Sequence, residues 1–178
     1  MSSNTNNLSE LRESYPESKK LVSDRSTLTQ IVQQHRQLGQ QIVFTNGCFD
    51  ILHPGHVIYL AQAKGLGDIL IVGVNSDPSI KQLKGFQRPI NSLCDRLQVL
   101  AALASVDYVV PFEESTPSEL LKIVCPDIYV KGGDYTRETL PETPVVEELG
   151  GIIKILPFVG SNSTTKIIEK IRNLESSS

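Results

Sequence analysis

The sequence predicts an α/β fold: a five-stranded parallel sheet with helices on both faces. Three observations predict it. Short apolar runs alternate with helix-period segments along most of the chain, joined by short links. That order builds parallel sheets with right-handed crossovers. The runs are apolar throughout rather than at every second residue, as strands buried on both faces are. The polar and glycine-rich clusters follow the strands, where open α/β sheets hold ligands.

Residues 1–22 are rich in Ser, Asn, Glu and Lys and lack periodic apolar positions, which predicts a mobile tail. A helix is expected from Ser26 or Thr27, with Leu28, Ile31 and Val32 on one face and a stop at Leu38-Gly39. The first strand covers 41–45. A helix over 54–64 aligns His56, Tyr59, Leu60 and Ala63 on one face. A strand over 68–75, a helix over 93–104, a strand over 107–112, a helix over 117–124 and a strand over 127–131 follow. A short helix over 143–149, a strand over 152–156 and a helix over 163–173 complete the pattern. The stretch after residue 75, as far as 88, reads as a loop. A single domain over 23–174 is expected, with a short tail at 175–178.

The 178 residues suit one hydrophobic core, and 39% apolar with 21% charged residues is ordinary for a globular chain. A net charge of −3 speaks against bulk nucleic-acid binding, yet leaves room for a local basic site. No basic start precedes an apolar run at the N-terminus, so no secretory signal is expected. Ile69 to Val74 is a strand's length, and no run approaches bilayer thickness, so no membrane segment is expected. Cys48, Cys94 and Cys125 are widely separated and show no Cys-x-x-Cys spacing. They read as free thiols of a cytoplasmic protein.

The cluster after the first strand runs Thr45-Asn46-Gly47-Cys48-Phe49-Asp50-Ile51-Leu52-His53-Pro54-Gly55-His56. Pro54 fits a first helical turn, where its missing N–H costs nothing. Gly55 lets a ligand approach the backbone. His53 and His56 can face the same side across the helix start. Free N–H groups and positive potential there suit a phosphate. Imidazole donors beside them can stabilise charge on phosphorus. A capping histidine, a core histidine and a turn glycine are the plainer reading. The strand placement favours the phosphate site. Zinc is another reading, with Asp50 beside the two histidines. A catalytic zinc usually takes three protein ligands, and the remaining histidine, His35, lies in the first helix. No protein metal ligand is therefore expected.

A second cluster holds Asn75, Ser76, Asp77, Lys81, Lys84, Gly85, Arg88 and Pro89. Lys84 and Arg88 can neutralise phosphates, and a solvated loop is the alternative. Arg96, in the next helix, is either a surface residue or a clamp reaching the phosphate site. Lys131-Gly132-Gly133-Asp134-Tyr135 ends the fourth strand; its glycines allow a tight turn or close approach to a base. Gly160-Ser161-Asn162-Ser163-Thr164-Thr165 precedes the last helix. One cap needs one such residue, and the excess of hydroxyls suits polyphosphate oxygens. P-loop, dinucleotide and nucleophile-elbow motifs are absent from the sequence.

Together these clusters resemble the cytidylyltransferase-like nucleotidyltransferases, whose hallmarks are a His-x-Gly-His box after the first strand and a Ser-Thr-Thr box before the last helix. Both stand here, as His53 to His56 and Ser163 to Thr165. The resemblance covers about 41–173. Within that superfamily the chain is most similar to the heptose 1-phosphate adenylyltransferases. The likeness lies in Gly47 to His56, Val74 to Asp77, Leu83 to Pro89, Val106 to Phe112 and Val130 to Tyr135. The Gly160 to Thr165 segment is one residue longer than that family's usual Gly-Cys-Ser-Thr-Thr. Glycerol 3-phosphate cytidylyltransferases carry Arg-Thr-Glu-Gly where this chain has Phe158-Val159-Gly160.

The resemblance implies a Rossmann-like fold and transfer of AMP from ATP to D-glycero-β-D-manno-heptose 1-phosphate. It implies catalytic roles for His53, His56, Lys84 and Arg96. Thr45, Asn46, Gly47, Phe49, Gly55, Lys131, Gly132, Gly133, Asp134, Ser163, Thr164 and Thr165 would bind the nucleotide. Asn75, Asp77, Lys81 and Arg88 would bind the sugar phosphate. Mg²⁺ would arrive with ATP. Relatives are often homodimers, and many carry a sugar kinase upstream, so a separate heptose kinase is expected here. The alternatives are a cytidylyltransferase for glycerol 3-phosphate or another polyol or amino-alcohol phosphate, and a non-catalytic nucleotide-binding module.

Overall fold

The computed structural model describes residues 19–133, 135–157 and 163–175. Helix α1 (Arg25–Gln37) leads into β1 (Ile42–Gly47), α2 (Pro54–Lys64) and β2 (Ile69–Asn75). Two helices follow, α3 (Asp77–Lys84) and α4 (Leu93–Ala101), before β3 (Tyr108–Phe112). Then come α5 (Ser118–Val124), β4 (Ile128–Gly132), α6 (Thr143–Glu148), β5 (Ile152–Leu156) and α7 (Thr164–Glu175).

The strands form one sheet in the order β3-β2-β1-β4-β5, and every neighbouring pair is parallel. The chain winds outward from β1 through β2 to β3, then returns to β4 on the other side of β1. The order therefore reverses between β1 and β4, and such a switch point opens a crevice at the carboxyl ends of the strands.

Both faces of the sheet are covered because successive strand residues are apolar and point to opposite sides. On one face Val43, Leu70, Val72 and Val130 pack with Leu60 and Ala63 of α2 and Leu97 and Leu100 of α4. On the other, Ile42, Phe44, Ile71 and Tyr129 pack with Leu28 and Val32 of α1, Leu120 of α5 and Val146 of α6. Each fully buried Val, Leu, Ile or Phe among them contributes roughly 1.5–3 kcal/mol. Gly73 permits close packing within β2, since a Cβ there would stand 2.9 Å from Phe44 Cζ. Three aspartates just ahead of strands help set the register. Asp68, Asp107 and Asp127 accept the backbone N–H of Gln41, Leu70 and Ile42, each at 2.7 Å.

The structure corrects three expectations. Residues 77–84, expected as a loop, form α3. Ser76 caps it by accepting from Ser79 N at 3.3 Å, Asp77 and Pro78 occupy its first turn, and Gly85 at φ 91° ends it. The cap, proline and glycine are all visible in the sequence, but eight residues are too short to display a period. Helix α4 stops at Ala101, short of the expected 104. The expected tail reaches too far into the chain. Leu21 and Val22 are buried, and Val22 N donates to Val109 O at 3.0 Å beside the Leu21–Val109 bridge. That segment covers the edge of β3, where unpaired backbone groups would otherwise face solvent. The rest of the expected N-terminal tail, 1–18, and residues 176–178 lie outside the described residues.

Candidate active site

The switch-point crevice has two walls. The first is the start of α2. His53 is the N-cap residue, at φ −143° and ψ 167°, and its side chain makes no capping bond. Pro54 supplies the first helical turn, so His53 and His56 project together from the helix start. Their ring centroids lie 3.9 Å apart at an interplanar angle of 35°. His56 rests against Phe49 at 5.5 Å. Phe49 is itself buried, in a left-handed conformation at φ 47°. Its ring lies over Gly47, where a Cβ would come to 3.0 Å. Phe49 and Gly47 thus support the histidine pair through packing.

The Nδ1 atoms of both histidines are buried without a partner among the described residues. Burial lowers the His53 pKa. It lowers that of His56 further, to about 4, with added repulsion from His53 and from Lys84. Both rings are therefore neutral at pH 7, each with one N–H to donate. Lys84, exposed in the last turn of α3, is close enough to His56 for its charge to be felt there. Lys81 is exposed in the same turn.

Helix α7 closes on this wall from far along the chain. Thr164 Oγ1 donates to Ile51 O at 3.2 Å. Ser163 Oγ accepts from Lys166 N at 3.2 Å, the ordinary capping role. Thr165 is exposed at the helix start. Gly160, Ser161 and Asn162 lie outside the described residues.

Behind α2, two arginines brace the loops. Arg96 is 2% exposed. Its Nε donates to Asn91 O at 3.2 Å and one terminal nitrogen to Cys48 O at 2.6 Å. The other terminal nitrogen donates to Asn75 O at 2.8 Å and Asp77 Oδ1 at 2.7 Å. Arg96 is not the surface residue of the plainer reading: it is buried, and its guanidinium makes four hydrogen bonds to protein acceptors. It ties the ends of β1 and β2 to the start of α4. Arg88 Nε donates to Asp50, which also accepts Ile90 N at 2.7 Å and Asn91 N at 3.0 Å. Arg88 is held by this pairing. Asn75 is buried, and its Nδ2 donates to Ser79 Oγ at 3.1 Å, so this amide braces α3. Asp77 gives one oxygen to Arg96 and stays about a third exposed.

The second wall is the end of β4, and it is closed on itself. Lys131 Nζ lies 3.1 Å from Asn46 Oδ1, 3.4 Å from Tyr129 OH and 3.6 Å from Glu142 Oε1. An ammonium has three N–H groups, and all three protein oxygens lie within 3.6 Å of Lys131 Nζ. Burial lowers its pKa, and Glu142 opposes that shift. Glu142 is buried and was missed in the sequence, where it sits beside Pro141 without any motif. Thr45, expected at the nucleotide, is fully buried and donates to Tyr59 OH at 2.7 Å, while Tyr59 donates to Val130 O at 3.1 Å. Gly132 leaves room for the Tyr59 ring, which a Cβ would approach to 3.1 Å. Gly133, at φ 114°, turns the chain, and its N–H donates to Leu156 O at 3.0 Å. Asp134 lies outside the described residues. Gly55 is in the first turn of α2, half-buried.

Among the described residues no three His, Cys, Asp or Glu side chains gather where they could hold a metal ion. Asp50, the third member of the zinc reading, is instead bonded to Arg88 and two backbone N–H groups. No described helix is long and apolar enough to cross a membrane.

Comparison with known proteins agrees with this arrangement. A cytidylyltransferase-like family model matches residues 44–178. The bifunctional protein HldE of Marinomonas sp. (strain MWYL1) is 57% identical over 74% of this chain and 28% of its own length. That of Geotalea uraniireducens (strain Rf4) is 46% identical over 93% of this chain and 34% of its own. The chain thus spans about a third of the length of these relatives. A lipopolysaccharide core biosynthesis protein from Thermoplasma volcanium GSS1 superposes with a TM-score of 0.57 at 32% identity, over 70% of this chain and 100% of that one. Pantoate-beta-alanine ligase from Francisella tularensis shares the fold at 17% identity, with a TM-score of 0.57 over 79% of this chain and 67% of its own. The parallel sheet, the paired histidines at the switch point and the match from residue 44 onward agree, and the chain belongs to the cytidylyltransferase-like family.

Proposed function

We propose that this chain transfers AMP from ATP to D-glycero-β-D-manno-heptose 1-phosphate, giving ADP-heptose and pyrophosphate for lipopolysaccharide core or related glycan precursors. One observation carries the reading. Two neutral histidines, their rings in contact and their Nδ1 atoms without a partner among the described residues, meet Lys84 and the start of α7 at the carboxyl edge of the sheet. That is a donor set for a polyphosphate.

The reaction needs positioning and charge stabilisation more than covalent help. A phosphate oxygen of the sugar 1-phosphate attacks the α-phosphorus in line. The bond from α-phosphorus to the bridging oxygen breaks, and pyrophosphate leaves with that electron pair. His53 and His56 donate N–H bonds to oxygens that gain charge in the transition state. Lys84 and Lys81 supply positive charge to acceptor and leaving phosphates. Arg96 and Asp50 act by holding the loops in place. The Ser163–Thr165 turn and the β1 and β4 ends enclose the nucleotide.

Nucleotidyltransferases that use ATP generally need a divalent metal. With no acidic cage among the described residues, Mg²⁺ would be held by phosphate oxygens and water, where it neutralises triphosphate charge. We place the enzyme in the cytoplasm as a homodimer, with a heptose kinase activity supplying the sugar 1-phosphate.

A matrix of ATP and CTP against heptose 1-phosphate, glycerol 3-phosphate and other phosphorylated acceptors, read by pyrophosphate release, tests this. Release with ATP and the heptose is expected to dominate. Preference for CTP and a polyol phosphate, or ATP binding without release, would overturn it.

A further inference from the structure

The β4 wall holds a carboxylate that the proposed reaction leaves without a role. Glu142 is 5% exposed, its Oε1 lies 3.6 Å from Lys131 Nζ, and its Oε2 is buried without a partner among the described residues. Lys131 reaches Asn46 Oδ1 at 3.1 Å, and Tyr129 OH donates to the same oxygen at 2.7 Å. A lysine ammonium can only donate, so the Asn46 atom facing it is the oxygen. The two donors fix the amide, with Nδ2 on the side away from the cluster. Asn46 Nδ2 makes no hydrogen bond to any described residue and is not enclosed. Asn46 stands near the end of β1, beside β4, at the mouth of the switch-point crevice.

We propose that Glu142, acting through Lys131, is a positioning residue that orients Asn46 so that its amide donates to bound ATP. The inference rests on the nucleotide site proposed above. A buried ammonium needs a counter-charge, and Glu142 is the acidic partner within ion-pair reach of Lys131 among the described residues. Among the described residues, the other titratable groups facing Lys131 are Tyr129 on β4, Tyr135 beyond it with its ring centroid at 5.8 Å, and Cys48 after β1. Without the Glu142 charge, Lys131 loses its proton more readily or turns to solvent. In the first case the donor to Asn46 loses its charge and in the second it is withdrawn, and either way the amide is held less firmly and is freer to flip.

Calorimetric binding of ATP to the full chain tests this with three variants. Asn46→Asp keeps an acceptor for Tyr129 and Lys131 but removes the N–H donor. Glu142→Gln removes the counter-charge. The double variant keeps one carboxylate for Lys131. Each single change is expected to weaken ATP binding about tenfold, the worth of one hydrogen bond. The double variant should bind within about twofold of Asn46→Asp, because Glu142 acts through Asn46. Melting should show Glu142→Gln destabilised and the double variant partly restored, since Lys131 regains a partner. If Glu142→Gln fails to fold, the double variant against Asn46→Asp still decides. Losses that multiply, or a folded Glu142→Gln or an Asn46→Asp that binds like wild type, would overturn the inference alone. Wild-type protein that binds no ATP would overturn the nucleotide reading, and this inference with it.

Discussion

The two walls of the crevice use similar polar residues to opposite ends. On the α2 wall, His53 and His56 reach the sheet edge with buried Nδ1 atoms that no described group satisfies, and Lys84 is exposed beside them. On the β4 wall, Lys131 and Tyr129 are turned to Asn46 Oδ1 and Lys131 pairs with Glu142, leaving the carboxylate Oε2 and the Asn46 Nδ2 over among the described residues. Charge or hydrogen-bonding capacity alone does not mark a ligand-binding group. What matters is whether the fold has already supplied its partner. Lysines 84 and 131 make the point: the first is open to a phosphate, and the second is committed to protein.

The comparison can be broken at its foundation. Arg96→Ala would leave four acceptors from three segments without their donor. A loss of about 3 kcal/mol or more in stability is expected, read by denaturant unfolding. Lysine at this position should fail to rescue it, because one ammonium cannot reproduce a planar fork. A variant as stable as wild type would show that Arg96 is not the brace of the α2 wall.

His56→Ala removes a donor from the open wall while leaving the core intact. Pyrophosphate release is expected to fall by roughly a hundredfold, with the fold retained. Near-normal release would remove His56 from the chemistry. The same variant tests the neutral state of the ring. The ordinary histidine pKa of 6.5 applies in the unfolded chain, and burial lowers it to about 4 in the fold. Below pH 6.5 the unfolded chain takes up the proton first. The contribution of His56 is therefore present above pH 6.5 and is lost as pH falls towards 4. Melting temperature should fall between pH 7 and pH 5 in the wild type, and less steeply in His56→Ala. Equal slopes would contradict the burial of this imidazole.

The smallest expected effect is at the contact that brings α7 to the α2 wall. Thr164→Val removes the hydrogen bond to Ile51 O and should cost about 1 kcal/mol or less. ATP binding should weaken a few-fold. A change confined to stability would limit Thr164 to docking the helix.

Much of the fold was legible because its signals are local. Helix α2 and strand β5 have the bounds expected from the sequence, since Pro54 marks a start and Ile152 to Leu156 is a run of apolar residues broken only by Lys154. Helix α3 was not, although Ser76, Pro78 and Gly85 are proper cap and stop signals. Eight residues carry too few apolar positions to distinguish a short helix from a loop. In the candidate site, the histidine pair was legible through its motif. For Arg88 and Arg96 the resemblance implied phosphate contacts, because a sequence shows which groups can donate and not which acceptors lie 19 to 48 residues away to receive them.

By itself, then, the sequence determined the alternation of strands and helices, the apolar filling of both sheet faces and the placing of polar clusters after strands. Those follow from backbone periodicity and burial, which act over a few neighbouring residues. Only the tertiary structure decided which polar groups stay open and which are closed. It set Thr164 beside Ile51 across 113 positions, and Lys131 beside Asn46 across 85. The physical reason is that a polar group's role depends on its remaining hydrogen-bonding capacity once buried, and burial is a property of the whole packed sheet.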